Sequence, residues 1–280
     1  MINKEQLIQG RVDEHLQEAL DDFPPYQIVG IFLQGSQNYN LDIPTSDVDT
    51  KLIVTPSFKD IALARKPVST THVRANDEHT DWKDIRLYME TFRKQNLNFL
   101  EILFTKYCTI NHRYEKEWER LVQQREAIAH MNPYRAVKSM KGIAMEKYHA
   151  MEHPYPSKLA ILEKYGYDPK QLHHLLRIEE YIGRYIIGDE SYESCLISKK
   201  PEYLIDVKLG KYDLETARTV ANTALANITR IADNFCENLK DEEVPEVREL
   251  LEDVSYNIMK ISIQTEFNWG YKYGISGREV

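Results

Sequence analysis

The chain has 280 residues, of which 42% are hydrophobic and 29% are charged, with 11 glycines and 11 prolines. This composition excludes disordered, collagen-like and low-complexity classes and predicts an ordinary folded protein of one large or two smaller domains. The net charge of −8 argues against a protein that mainly grips nucleic-acid backbones without regard to sequence. No apolar run is long enough for the apolar core of a signal peptide or for a membrane span, so we expect a cytoplasmic protein with no membrane partner.

The first part of the chain predicts a mixed arrangement of helix and strand. Apolar residues at helical spacing predict a helix over residues 5–20. The β-branched run 27–33 is typical of a strand buried on both faces, and further strands are predicted over residues 47–54 and 82–88. On the last of these, Asp84 shares one side with Arg86 and Tyr88.

Beyond residue 112 the helical period takes over. Capping residues followed by proline, at Asn132-Pro133 and Asp168-Pro169, mark helix starts. We predict helices over residues 113–131, 133–151, 157–165, 169–187, 201–209, 213–239 and 245–264. The expected fold is therefore α+β, with a mixed-sheet domain over residues 1–110 followed by an α-helical domain over 111–280 that closes a cleft.

Three short motifs lie on or at the end of predicted strands in the first part of the chain. Gly35-Ser36 ends the first predicted strand, Asp47 and Asp49 point to one face of the second, and Asp84 lies on a later strand. Three carboxylates on one face repel each other, and a divalent cation such as Mg²⁺ removes that cost. The glycine lets backbone approach a phosphate closely, and the serine offers a hydroxyl and an N–H group to it.

In this order the motifs resemble the GS…DxD…D pattern of the DNA polymerase β-like nucleotidyltransferase superfamily. The resemblance is closest to the predicted nucleotidyltransferases of the RNA repair pathway DNA polymerase β family. It is carried by residues 35–49, 84–104 and 168–177, all within residues 30–190. That family has Tyr-Gly in the loop where this chain has Tyr39-Asn40, and asparagine also tolerates the left-handed backbone that such a turn needs.

The resemblance implies transfer of a nucleoside monophosphate from an NTP to an acceptor, with release of pyrophosphate. It implies that Asp47 and Asp49 hold two Mg²⁺ or Mn²⁺ ions and that Asp84 completes the ion that activates the acceptor hydroxyl. Gly35 and Ser36 would hold the triphosphate. The family name suggests an RNA or other polynucleotide 3′ end as the acceptor.

Three polar residues form a stripe on the helix that begins after Asp168. His174 and Arg177 are offset from Lys170 by four and seven positions, which places both within roughly 40° of Lys170 around the helix. The same spacing in the related nucleotidyltransferases favours contact with the triphosphate, the leaving pyrophosphate or the acceptor. A solvated basic face with one hydrogen-bonded histidine is the alternative interpretation.

Two other functions stay open at this stage. One is transfer of a nucleoside monophosphate, such as AMP, to a protein or a small molecule, which the acidity of the chain favours. The other is a catalytically silent nucleotide-binding regulator. The three carboxylates argue against the silent module, because a protein without the chemistry gains nothing from holding like charges together.

Overall fold

The computed structural model describes the backbone of residues 3–272 and the side chains as far as residue 268. Five strands form one mixed sheet in the order β3-β4-β2-β1-β5, in which β2 and β4 are parallel and the other neighbours are antiparallel. The strands are β1 (Ile28–Gln34), β2 (Asp49–Val54), β3 (Ser69–Val73), β4 (His79–Asp84) and β5 (Cys108–Ile110). Together with the helices, this sheet confirms the α+β class.

Four helices lie among the strands. The first begins at a reciprocal cap, in which the side chain of Asn3 accepts the N–H of Gln6 and the Gln6 side chain accepts the N–H of Asn3. It agrees with the helix predicted over residues 5–20, whereas the other three helices were not predicted. The four are α1 (Lys4–Ala19), α2 (Phe58–Ala62), α3 (Ile85–Arg93) and α4 (Leu97–Leu100).

From residue 115 to 272 the regular elements are helical. Each helix predicted there is present, although the one over residues 113–131 is divided in two at Gln124 and the last is longer than predicted. The helices are α5 (Glu115–Gln123), α6 (Arg125–Ala129), α7 (Pro133–Ala150), α8 (Leu159–Tyr165), α9 (Pro169–Ile187), α10 (Tyr192–Leu196), α11 (Pro201–Lys208), α12 (Leu214–Cys236) and α13 (Pro245–Lys272). Across residues 3–272, none combines the length and apolar character needed to cross a membrane.

The strand predicted over residues 82–88 is wrong beyond Asp84. The strand β4 ends there, and α3 begins at the next residue with its N-cap at Asp84, whose carboxylate accepts the backbone N–H of Arg86 at 2.9 Å. The buried side chains of α3 recur at intervals of three and four residues, which is the helical period. They are Ile85, Tyr88, Met89 and Phe92.

The two faces of the sheet pack against different partners. One face, represented by Ile31 and Leu52, packs with Val12 of α1 in a small core. The opposite face, represented by Phe32 and Ile53, belongs to a large core that continues through the helical part. The two parts of the chain therefore share apolar packing, and the division into domains 1–110 and 111–280 stays a prediction, with residues 273–280 outside the described part.

Candidate active site

A cavity of about 590 Å³ lies between one end of the sheet and helices α4, α7, α9 and α11. The sheet side is formed where β1 ends and β2 begins, together with the middle of β4. The other side is formed by α9 and single residues from the neighbouring helices. The predicted site residues that line it are Gly35, Ser36, Asp47, Asp49, Lys170, His174 and Arg177.

The sheet wall of the cavity carries three carboxylates and one buried lysine. Asp47 is exposed just before β2, and Asp49 is the first residue of that strand. Lys51 and Asp81 are paired in register on β2 and β4, so they share a face of the sheet with Asp49, two residues before Lys51. The Lys51 ammonium donates to Asp81 at 3.1 Å, while Asp49 accepts the backbone N–H of His79 at 2.9 Å.

Asp84 does not reach this wall, and its predicted place in the site is wrong. It is paired with Val54, at the other end of β2 from Asp49 and about 17 Å further along the strands. Being an odd number of residues from Asp81, it also lies on the opposite face of the sheet. Its buried carboxylate binds the guanidinium of Arg86 at 2.9 and 2.7 Å. Asp81 is the third carboxylate of the cavity.

The turn after β1 has a backbone that only glycine adopts readily. Gly35 has φ +103° and ψ −157°, while an added Cβ would meet no atom nearer than 4.0 Å, so conformation and not space requires the glycine. Ser36 begins a short 3₁₀ turn that ends at Asn40, which adopts the left-handed conformation at φ +59°. Gln37 donates its amide to the backbone oxygen of Asp47 at 2.6 Å, which ties this turn to the acidic loop.

The helix α9 forms the wall opposite the carboxylates. Asp168 caps it by accepting the N–H of Lys170 at 2.9 Å, and Pro169 occupies the first turn. One face of the helix then presents Lys170, His174 and Arg177 to the cavity. Burial, with the neighbouring His173 and Arg177, holds the pKa of His174 well below its ordinary value, so this ring is neutral near pH 7.

Arg177 is buried yet incompletely hydrogen-bonded. It is 7% exposed, and its guanidinium carbon lies 3.5 Å from the ring centre of Tyr39. Its Nε and Nη2 groups have no hydrogen-bond partner in the described part of the chain, which includes side chains only as far as residue 268. Burial lowers its pKa, against the opposing field of Glu101. Because unpaired buried charged donors are costly, an anionic ligand bound to these groups would stabilise the site.

Glu101 also lines the cavity, and its carboxyl group is buried. Burial raises its pKa to about 8, although Arg177 and the backbone N–H of Gly35 oppose the shift. Among the side chains of residues 3–268, no ion pair within 4.0 Å joins Glu101 to a cation. The group is therefore mostly protonated at pH 7 and positions the glycine turn as a neutral hydrogen-bond partner.

Sequence reasoning did not single out several residues that shape the cavity, among them Lys51, Asp81 and Lys208. Lys51 could have been found, because it lies two residues after Asp49 and so shares its face. Finding Asp81 would have required the strand predicted over residues 82–88 to begin at residue 79 instead. Lys208 gave no local signal: it comes from α11, and its ammonium donates to the backbone oxygen of Leu41 and the hydroxyl of Ser46, both at 3.2 Å.

Asp47 and Asp49 are the cavity carboxylates whose chemistry fits a divalent cation. Among the side chains described, those of residues 3–268, no three His, Cys, Asp or Glu side chains lie close enough together to hold a metal ion by themselves. Mg²⁺, however, is usually held by one or two carboxylates together with substrate phosphates. The contacts of Asp49 with His79 use only its Oδ1 atom. The residues present therefore fit one Mg²⁺ or Mn²⁺ ion completed by phosphate oxygens.

Comparisons with known proteins leave the function to be argued from this geometry. No protein-family model matches the sequence, and no curated protein matches it. Among solved structures, the chain is similar to a nucleotidyltransferase-like protein from Exiguobacterium sibiricum 255-15, with 11% identity and a TM-score of 0.30 over 95% of this chain and 91% of that one. At that TM-score the likeness carries no argument.

Proposed function

We propose that this protein is a metal-dependent nucleotidyltransferase, which moves a nucleoside monophosphate from an NTP to an acceptor hydroxyl. The observation that carries the proposal is the pair of unpaired N–H groups on buried Arg177 in the same cavity as Asp47 and Asp49. The unpaired donors of Arg177 favour an anion at the α9 wall, and the carboxylates of Asp47 and Asp49 favour a cation at the sheet wall. A nucleoside triphosphate with its divalent ion supplies both.

In the proposed complex the chain divides the charge of the triphosphate between its two walls. Ser36 offers its backbone N–H group and its hydroxyl to phosphate oxygens, while Gly35, whose own N–H group bonds to Glu101, lets a phosphate approach the backbone closely. Arg177 binds two oxygens with its fork of donors, and Lys170 adds a mobile positive charge. Mg²⁺ held by Asp47 and Asp49 supplies neutralisation of the phosphates and activation of the acceptor hydroxyl.

The proposed reaction forms a bond between the acceptor oxygen and the α-phosphorus of the NTP and breaks the bond from that phosphorus to the bridging oxygen of the β-phosphate. Pyrophosphate leaves with the electron pair of that bond, and Arg177 and Lys170 stabilise its charge. The acceptor proton passes to solvent by way of Asp81, whose side chain is 32% exposed. This last assignment replaces the predicted role of Asp84.

The acceptor we propose first is an RNA or other polynucleotide 3′ end, on the sequence resemblance to the RNA repair family. A protein or small-molecule hydroxyl is the second candidate, because the net charge of −8 disfavours a broad polyanion surface. The two candidates share one chemistry at the α-phosphorus. They differ only in which molecule receives the nucleoside monophosphate.

The test is incubation with each of the four NTPs labelled at the α-phosphate, with Mg²⁺ or Mn²⁺. The acceptors are an RNA oligonucleotide, the same RNA with a blocked 3′ end, single-stranded DNA and a cell lysate. We expect label on the free RNA end and none on the blocked one, and none in any sample with Asp49→Asn. Label on lysate protein or small molecules alone would favour the second candidate. NTP binding without any labelled product would identify a silent nucleotide-binding module.

A further inference from the structure

Lys51 occupies a buried position between the carboxylates of the sheet wall. Its side chain is 2% exposed, and its ammonium lies 3.1 Å from Oδ2 of Asp81. The ring of Phe99 covers the ammonium, with the ring centre 4.2 Å away. Burial lowers the pKa of Lys51, while Asp81 and, more weakly, Asp49 oppose that shift. A lysine so enclosed is fixed in place and is not a mobile surface charge.

Both oxygens of Asp81 are engaged by this arrangement. Oδ2 accepts from Lys51, and Oδ1 accepts the hydroxyl of Thr71 at 2.7 Å. Burial alone would raise the pKa of Asp81, but Lys51, Thr71 and Lys83 together lower it, so the group is ionised and its charge is balanced within the protein. A divalent ion bound at Asp81 would have to displace a buried ammonium or lie beside it.

Lys83 provides a contrast on the same face of the sheet. It is two residues after Asp81, and its ammonium is 5.0 Å from the centre of the same Phe99 ring. Lys83 is half-buried and donates to the hydroxyl of the exposed Ser69 at 3.2 Å. No ion pair joins it to an acid among the side chains of residues 3–268. Lys83 thus has the same charge and a similar location without the buried pairing to Asp81.

We propose that the ammonium of Lys51 neutralises Asp81 in place of a second metal ion. The cavity then binds one divalent ion, on Asp47 and Asp49, whereas three unpaired carboxylates would bind two. The inference rests on the proposed function, since it concerns the ions of that same site. Lys51 acts here as a positioning residue, which holds Asp81 ionised and oriented beside the acceptor. It sets the metal stoichiometry of the nucleotide complex.

The test counts Mn²⁺ ions bound per chain, from the electron paramagnetic resonance signal of free Mn²⁺, in the presence of a saturating NTP analogue with a non-hydrolysable α,β bridge. We expect one Mn²⁺ in the wild-type complex. Lys51→Met frees Asp81, and the count rises to two. The matched control Lys83→Met leaves it at one.

Two ions in the wild type would overturn the proposal, and so would a count of one in folded Lys51→Met protein. Should that variant fail to fold, Asp81→Asn decides the matter. We expect it to retain one ion, and loss of the ion would show that Asp81 is a ligand. Absence of Mn²⁺ from the wild-type complex would contradict the proposed function as well, whereas a count of two would contradict only the assignment of Lys51.

Discussion

The guanidinium of Arg177 lies over the ring of Tyr39, with 3.5 Å between its central carbon and the ring centre. This contact joins α9 to the 3₁₀ turn that begins with Ser36. This contact holds the guanidinium in place, while its Nε and Nη2 groups have no hydrogen-bond partner among the side chains described, those of residues 3–268, or the backbone of residues 3–272. A planar donor held in this way is prepared for two phosphate oxygens before any ligand arrives.

Replacing Arg177 by lysine tests that preparation. Arg177→Lys keeps one positive charge but loses the guanidinium contact with Tyr39 and the two free N–H groups. We expect NTP affinity to fall by about 1.5–3 kcal/mol, roughly 10- to 150-fold. Calorimetric titration measures it. The control is Arg184→Lys on the same helix, where the arginine binds Glu190 outside the cavity. Equal affinity of Arg177→Lys and wild type would exclude Arg177 from the phosphate site.

The two aspartates on opposite ends of the sheet strands give opposite predictions. Asp49→Asn should abolish nucleotidyl transfer and leave stability unchanged or slightly higher, because it removes a like charge from the sheet wall. Asp84→Asn keeps a capping side chain but loses the ionic bond to Arg86, so stability should fall by about 1 kcal/mol while transfer continues. Urea unfolding and a labelled-NTP assay measure the two effects. Loss of transfer in a stable Asp84→Asn variant would place that residue back in the active site.

Ser36 distinguishes a triphosphate site from a structural serine. Ser36→Ala should weaken NTP binding by about 1.5–3 kcal/mol, the loss of one hydrogen bond to a charged group, and leave binding of the monophosphate nearly unchanged. When ATP and AMP are titrated in one series, the binding of AMP serves as the control for the binding of ATP. If the variant bound both nucleotides equally weakly, the serine would serve the turn and not the phosphates.

Glu101 predicts a pH dependence of stability. Its pKa is raised to about 8 by burial in the folded chain, whereas an unfolded glutamate titrates near 4.5. Between those values the folded chain holds a proton that the unfolded chain has lost, so the free energy of unfolding falls as pH rises, by up to about 1.4 kcal/mol per unit. Urea unfolding from pH 6.5 to 8.5 should show this fall in wild type relative to Glu101→Gln. Parallel curves for the two proteins would contradict the assignment.

Most of the site could be predicted from local patterns along the chain. A strand that ends at Gly35 and alternation of Asp47 with Asp49 each depend on neighbouring residues. The stripe on α9 follows from helical spacing after the cap at Asp168. These are short-range signals, and the structure brings all of them to one cavity.

The third carboxylate could not be placed in that way, because the segment around it changes period. Residues 82–88 fit strand alternation, yet the apolar positions from Ile85 onward repeat as a helix and Asp84 is a good cap. Recognising that cap would have removed Asp84 from the site and left Asp81. The contact of Lys208 with Leu41 spans 167 positions of sequence and depends on tertiary packing alone.

The most direct test of nucleotidyl transfer compares two positions of the same label. An acceptor that becomes labelled in the acceptor screen is incubated with wild-type protein, Mg²⁺ and the NTP labelled either at the α- or at the γ-phosphate. The account predicts that the α-label enters the acceptor and that the γ-label appears in an equal amount of pyrophosphate, with neither product from Asp49→Asn. Transfer of the γ-label to the acceptor, or its release as inorganic phosphate, would contradict it.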